Sequence, residues 1–166
     1  MATSENLRNA FSGESQANRK YLAFAKKAEA EGYPMIARIF RAAAQGETVH
    51  AMAHLRAMKA VRGTRENLDE AIQGENAEFK EMYPRFIEEA RNEQAKQALT
   101  SFQNAMAVEQ VHHSLYIEAR DAVKAGRDMA VKKVFVCSVC GNAVLDEAPE
   151  NCPVCGSPRA KFTEID

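Results

Sequence analysis

Two stretches decide how this chain is read: Gly46-Glu47-Thr48-Val49-His50 and Val108-Glu109-Gln110-Val111-His112. In each, a glutamate precedes a histidine by three residues, which on a helix puts both side chains on one face. That face is the one expected to be buried. Around the first motif, Ile36, Phe40, Ala43, Glu47, His50, His54, Ala57 and Val61 follow a 4-3-4-3 spacing; around the second, Phe102, Ala105, Glu109, His112, Tyr116, Ala119 and Val123 share a face. Both stripes are apolar except at their centres.

Working outward, the first 125 residues hold only two prolines, Pro34 and Pro84, and are rich in strong helix formers. Four long helices are expected. The first runs from about Ser4 to Glu31 and closes at Gly32. The second runs from Pro34 to about Val61 and stops near Gly63. The third runs from Thr64 to about Arg91 with a kink at Pro84, and the fourth from about Glu93 to Ala125, ending at Gly126. Connections of a few residues make sequential helices antiparallel neighbours. The first helix carries a stripe of Leu7, Phe11, Glu14, Asn18, Tyr21, Ala25 and Ala28; the third carries Leu68, Ala71, Glu75, Glu78, Met82 and Phe86. All four stripes are therefore interrupted by carboxylates or histidines.

A buried carboxylate without a partner costs several kcal/mol, so four of them at core height need a common, highly positive partner. A weak internal repeat points the same way: Glu14 to Glu47 spans 33 residues, and Glu75 to Glu109 spans 34. One Glu from each of two helices plus Glu-x-x-His from each of the other two is the donor set of di-iron and di-manganese carboxylate bundles. Two divalent cations balance the four charges of Glu14, Glu47, Glu75 and Glu109, and His50 and His112 each cap one metal. Hard carboxylates with few imidazoles suit iron or manganese better than copper. Glu78 lies one turn beyond Glu75 and is read as either an extra ligand or a partly exposed helix residue. His54 and His113 are read as core or supporting residues. Tyr21 and Tyr116 are read as core tyrosines or as groups that orient the carboxylates.

After Gly126 the composition changes. Lys132 to Val136 reads as a short strand, followed by Cys137-Ser138-Val139-Cys140-Gly141 and Cys152-Pro153-Val154-Cys155-Gly156. Two Cys-x-x-Cys knuckles 11 residues apart signal a tetrathiolate metal site. Glycine after each second cysteine is expected to turn backbone N–H groups toward sulfur. A unit of about 30 residues is too small to fold on apolar burial alone, so its metal is structural as well. Spacing does not separate iron from zinc here. The expected organisation is a helical bundle over 1–126, a linker over 127–132 and a metal-bound β domain over 133–166.

Charge and composition exclude several classes. With 22 basic and 23 acidic residues, nothing favours nucleic acid or an anionic membrane surface, and no apolar run approaches a membrane span. The start, MATSENLRNAF, lacks a basic segment followed by an apolar one, so no signal peptide and a cytoplasmic location are expected. All four cysteines fall in the last 30 residues, which fits metal binding rather than disulfides.

The combination resembles the rubrerythrin family over essentially the whole chain: Glu-x-x-His motifs, Gly74-Glu75-Asn76-Ala77-Glu78 followed by Met82-Tyr83-Pro84, and the tail Cys152-Pro153-Val154-Cys155-Gly156 through Phe162. The resemblance implies a mainly α fold, a ferritin-like four-helix bundle followed by a small rubredoxin-like β domain. It implies two irons held by Glu14, Glu47, His50, Glu75, Glu78, Glu109 and His112, and one by Cys137, Cys140, Cys152 and Cys155, with zinc or manganese as substitutes. His50 and Glu78 match the residues that exchange at one iron, and Tyr21 and Tyr83 match tyrosines that hydrogen-bond near the site. The implied activity is a non-haem peroxidase that reduces hydrogen peroxide to water in oxidative-stress protection. Glu78 is the implied proton relay, and an external reductase or small redox protein the electron donor. A homodimer or larger assembly is implied, the rubredoxin-like domain of one chain approaching the di-iron site of another. The competing readings are a ferroxidase or iron-handling protein of ferritin-like type, and a zinc-ribbon interaction module on a structural bundle.

Overall fold

The computed structural model describes residues 2–166. They form two compact units, one ending at Arg62 and the other starting at Gly63. The first unit is a hairpin of α1 (Ala2–Ala30) and α2 (Pro34–Met58). The second holds α3 (Thr64–Ala77), a π-helical turn (Glu78–Met82), α4 (Tyr83–Asn92) and α5 (Lys96–Lys124), then a small sheet. Among the described residues, no helix is long and apolar enough to cross a membrane.

The α1–α2 seam is built on small side chains. Ala25, Ala28, Ala37, Ala44 and Ala51 are all buried, which lets the helices approach closely. Asn18 is buried among them and ties the pair together: its Nδ2 donates to the Ala44 carbonyl at 2.7 Å and to Thr48 Oγ1 at 2.9 Å. At the end of α1, Gly32 adopts φ +83°. There Gly32 N–H donates to the Glu29 carbonyl and Tyr33 N–H to that of Ala28, the paired bonds of a Schellman closure. Helix α2 stops earlier than expected. Lys59, at φ 52°, closes it with N–H groups of Lys59 and Ala60 on the carbonyls of Arg56 and Leu55. Gly63 instead caps the start of α3, where its N–H donates to Glu66 Oε2 at 3.2 Å.

The kink expected at Pro84 takes another form. Proline has no N–H to give the carbonyl four residues back, and its ring crowds that carbonyl. The helix responds one turn earlier by widening. Tyr83 N–H bonds to the Glu78 carbonyl, five residues back, and Pro84 falls in the first turn of α4, where the missing donor costs nothing. Both α3 and α4 pack on α5.

The sheet has the order β2-β1-β3, all antiparallel, with β1 (Val134–Cys137) central between β2 (Ala143–Leu145) and β3 (Phe162–Ile165). Val134 faces Leu145 on one side and Ile165 on the other. So small a sheet cannot stand alone, and the cysteine knuckles complete it.

Candidate metal centres

In the first unit Glu14, Glu47 and His50 converge, each offering a ligand atom within 4.8 Å of the others. In the second unit Glu75, Glu109 and His112 do the same. Helical spacing explains both: His50 Nδ1 lies 3.1 Å from Glu47 Oε2, and His112 Nδ1 lies 2.7 Å from Glu109 Oε2. Two donors at right angles on one first-row metal stand about 3 Å apart, so both pairs fit a shared cation. His112 also faces Glu75 Oε1 at 3.8 Å.

The second triad is electrostatically unsettled without a cation. Burial and the neighbouring Glu109 carboxylate push Glu75 up from 4.5 to about 7, with His112 pulling the other way. Burial and Glu109 also raise Glu78, which stands outside both triads. Tyr83 is raised by burial and then by Glu78, Glu109 and Glu75; Tyr116 is raised by burial, Glu75 and Glu109. Tyr116 lies tilted beside the His112 ring, their centroids 6.4 Å apart, and Tyr83 packs on Phe86 and Phe102. Tyr21 belongs instead to an aromatic group with Phe24 and Phe40. His113 packs edge-on against Phe79 at 5.3 Å.

A test follows from Glu75. Its folded pKa, about 7, lies above the unfolded 4.5, so its contribution to stability is fully present below 4.5 and lost as pH rises through 7. Metal-free protein is expected to lose about 2 kcal/mol between pH 5 and 8, allowing for solvent at the site. Thermal unfolding in chelator measures it. Metal added at pH 8 should restore the loss, and a flat pH profile in chelator would contradict the assignment.

The four cysteines form the third group, and all are free thiols. Cys137 and Cys155 sulfurs lie 3.8 Å apart, and those of Cys140 and Cys152 lie 3.6 Å apart. A tetrahedron with metal–sulfur bonds of about 2.3 Å has edges of about 3.8 Å, so the cage already has the size a metal requires. The two knuckles are built alike. Cys137 N–H bonds to the Asn142 carbonyl and Cys152 N–H to that of Ser157, while Gly141 and Gly156 donate to the carbonyls of Cys137 and Cys152. The glycine N–H groups thus close the turns on carbonyl oxygen rather than pointing at sulfur. Their φ values of +87° and +72° explain why glycine stands there. Burial pushes the Cys140 thiol up, whereas the Ser157 hydroxyl, 3.3 Å from Cys155 sulfur, holds Cys155 down at about 6. Four thiols so placed ionise together only around a cation.

The rubrerythrin family model matches residues 5–119, and the model of the rubrerythrin rubredoxin-like domain matches residues 135–163. The chain belongs to the rubrerythrin family. Rubrerythrin-2 of Clostridium acetobutylicum is 39% identical over 96% of this chain and 95% of its own length. Nigerythrin of Nitratidesulfovibrio vulgaris is 34% identical over 98% of this chain and 86% of its own. The structure of fully reduced, all-ferrous nigerythrin superposes with a TM-score of 0.59 at 33% identity, covering 98% of this chain and 86% of that one. The expected fold class holds: a mainly α, ferritin-like protein with a rubredoxin-like β domain. So does the expected metal complement, a di-iron carboxylate donor set and a rubredoxin-like four-cysteine site. As a rubrerythrin the chain is of oxidoreductase type.

Three features escaped sequence reasoning. Asn18 was visible as a polar residue one turn from Glu14 in an apolar stripe, but nothing marked it as the clasp of α1 on α2. Pro84 signalled a disturbance without revealing the π turn. The packing of the Cys140-Gly141 knuckle on α5, where a Cβ on Gly141 would lie 3.9 Å from Val108 Cγ1, had no local signature.

Proposed function

We propose that this rubrerythrin is a di-iron peroxidase that reduces hydrogen peroxide to water, with electrons relayed through its four-cysteine site. The observation that carries this is the presence, in one chain, of two Glu–Glu–His triads and a tetrathiolate cage of metal dimensions. When bound, the iron pair supplies two electrons to the O–O bond together. The rest falls to the chain's own residues. Glu14, Glu47 and His50 are the donors the first unit would give the metal, and Glu75, Glu109 and His112 those the second unit would give. Glu78, held protonated more readily than an ordinary carboxyl by burial and Glu109, serves as proton donor and as the ligand that exchanges with His50. The π turn that begins at Glu78 gives that exchange a compliant stretch of backbone. Tyr83, whose pKa is raised by burial and then by Glu78, Glu109 and Glu75, serves as a hydrogen-bond donor near the site, and Tyr21 supports the first triad from its aromatic group.

The working setting is cytoplasmic, with an external reductase or small redox protein as donor and a homodimer or higher homo-oligomer as the assembly. The test is the visible spectrum and metal content of the protein as isolated, followed by steady-state peroxide reduction through an artificial reductase chain. The expected protein is red, with iron in the cage, and turns over peroxide faster than it oxidises added ferrous iron with oxygen. A colourless protein with zinc in the cage, or faster oxygen-driven iron oxidation, would sink the peroxidase reading in favour of the ferroxidase one.

A further inference from the structure

The two cysteine knuckles repeat each other closely, so a place where they differ stands out. Two residues beyond the second cysteine lies Asn142 in the first knuckle and Ser157 in the second. Their carbonyls accept the N–H groups of Cys137 and Cys152, at 2.9 and 2.7 Å. Their own backbones are hydrogen-bonded to the sulfurs of Cys140 and Cys155. The side chains break the likeness. Asn142 is 1% exposed, and neither of its side-chain polar atoms is hydrogen-bonded. Ser157 instead brings its Oγ to 3.3 Å from Cys155 Sγ. Its backbone is fixed on both sides. The carbonyl is engaged by Cys152, and Pro158, which biases the residue before it toward extended backbone, pairs with Asn151 across an isolated bridge. These contacts hold the hydroxyl against the sulfur.

A metal-bound thiolate has no proton to give, so there the hydroxyl donates and the sulfur accepts. Cys155 then receives two hydrogen bonds from one residue, through its N–H and its O–H. We propose that Ser157 is a positioning residue for the tetrathiolate iron, its hydroxyl donating to Cys155 Sγ and raising the reduction potential of that iron. The step concerned takes ferric iron and one electron to ferrous iron, with no bond made or broken and no proton moved. Four thiolates leave the ferric centre with one net negative charge and the ferrous centre with two. A hydrogen bond to sulfur stabilises the more negative state more, and such bonds are among the levers that set the potentials of thiolate-bound iron. The inference rests on iron in the cage and not on the peroxidase reading.

The test is a spectroelectrochemical titration of the iron-loaded full chain, with dithionite as reductant and the ferric colour as the readout. Ser157→Thr and Ser157→Val have nearly the same shape and differ in the hydroxyl, and the second methyl of valine keeps water from taking its place. Ser157→Thr should hold the reduction equilibrium within threefold of the unaltered protein, about 28 mV for one electron. Ser157→Val should lower it by more than threefold, toward tenfold or about 59 mV. The sulfur-to-iron absorption of ferric Ser157→Val should also move to longer wavelength, since a thiolate without the donor holds its electrons less tightly. A merely structural role would disturb both variants alike. If Ser157→Val does not retain iron, Ser157→Ala is held to the same threshold. A fall of less than threefold in the variant without the hydroxyl, or an equal fall in Ser157→Thr, would overturn the proposal. Peroxide plays no part in the readout, so failure of the peroxidase reading would leave this result standing.

Discussion

Glu109→Ala is expected to lower peroxide turnover by at least about 10²-fold, beyond the range for residues that merely support a metal ligand. Three effects coincide at this residue. Its carboxylate stands 2.7 Å from His112 Nδ1 and fixes the ring. It is the largest charged influence on Glu75 after burial itself, so removing it lets Glu75 ionise more readily while taking away a quarter of the negative charge that balances two divalent cations. It also sits beside Val108, which packs against Gly141 of the first knuckle. Iron content by elemental analysis should fall from three per chain toward one, with the tetrathiolate colour retained. A variant that keeps three irons and turns over within threefold of the parent would show that Glu109 is not a ligand. Glu109→Asp separates charge from reach: it keeps the carboxylate but withdraws it by one methylene, and should lose activity with partial iron retention.

Cys152→Ser is expected to unfold the C-terminal domain while the helices persist. The sheet has three strands of three or four residues, and the largest fully buried side chains among the described residues are Asn142 and Cys137, both from the first knuckle. So little apolar burial cannot offset the conformational entropy of ordering about 30 residues. The metal supplies the difference, on the order of 10 kcal/mol for a structural tetrathiolate site. Removing Cys152, itself buried, takes one corner of the cage and leaves Cys140 without its 3.6 Å neighbour. Amide exchange over residues 134–165 should reach unfolded-chain rates, and far-ultraviolet helical signal should change little. Protection that survives in that segment would mean the sheet stands without its metal. Strong chelation of the unaltered protein should give the same pattern.

Much of this was legible in the sequence because the chemistry is local. Glu-x-x-His at helical spacing brings its two donors together whatever the rest of the molecule does, and Cys-x-x-Cys-Gly closes its own turn. The pairing of Glu75 with Glu109 and His112 was legible as well, since short connections force antiparallel neighbours. Helix ends were less so. Gly32 and Gly126 stop helices where glycine was expected to, but Lys59 and Gln94 adopt the same left-handed conformation without being glycine. At those ends the hydrogen bonds of the closure outweigh a steric cost of roughly 1–2 kcal/mol. The π turn was hidden for a different reason. Pro84 forbids one hydrogen bond, but a helix can answer by bending, breaking or widening, and the local sequence does not choose among these. The seat of Gly141 on Val108 joins residues 33 apart through packing alone, and no periodicity encodes it.

The wide turn at Glu78–Met82 has a consequence for how such chains are compared. A π turn holds one residue more than the α turn it replaces, so it works as a phase adjuster between two lengths of helix. Without it, everything from Tyr83 onward would be rotated by about 100° relative to Glu75, and the Tyr83–Phe86–Phe102 cluster would face elsewhere. Composition, hydropathy and helix content would hardly change. Loss of a single residue here, at solvent-facing Lys80 or Glu81, is therefore expected to turn the π turn into an α turn and to leave the two lengths of helix in phase. In an alignment, a one-residue gap between Glu75 and Tyr83 is the expected mark of a relative whose turn is α-helical and whose aromatic wall keeps its phase with the carboxylates.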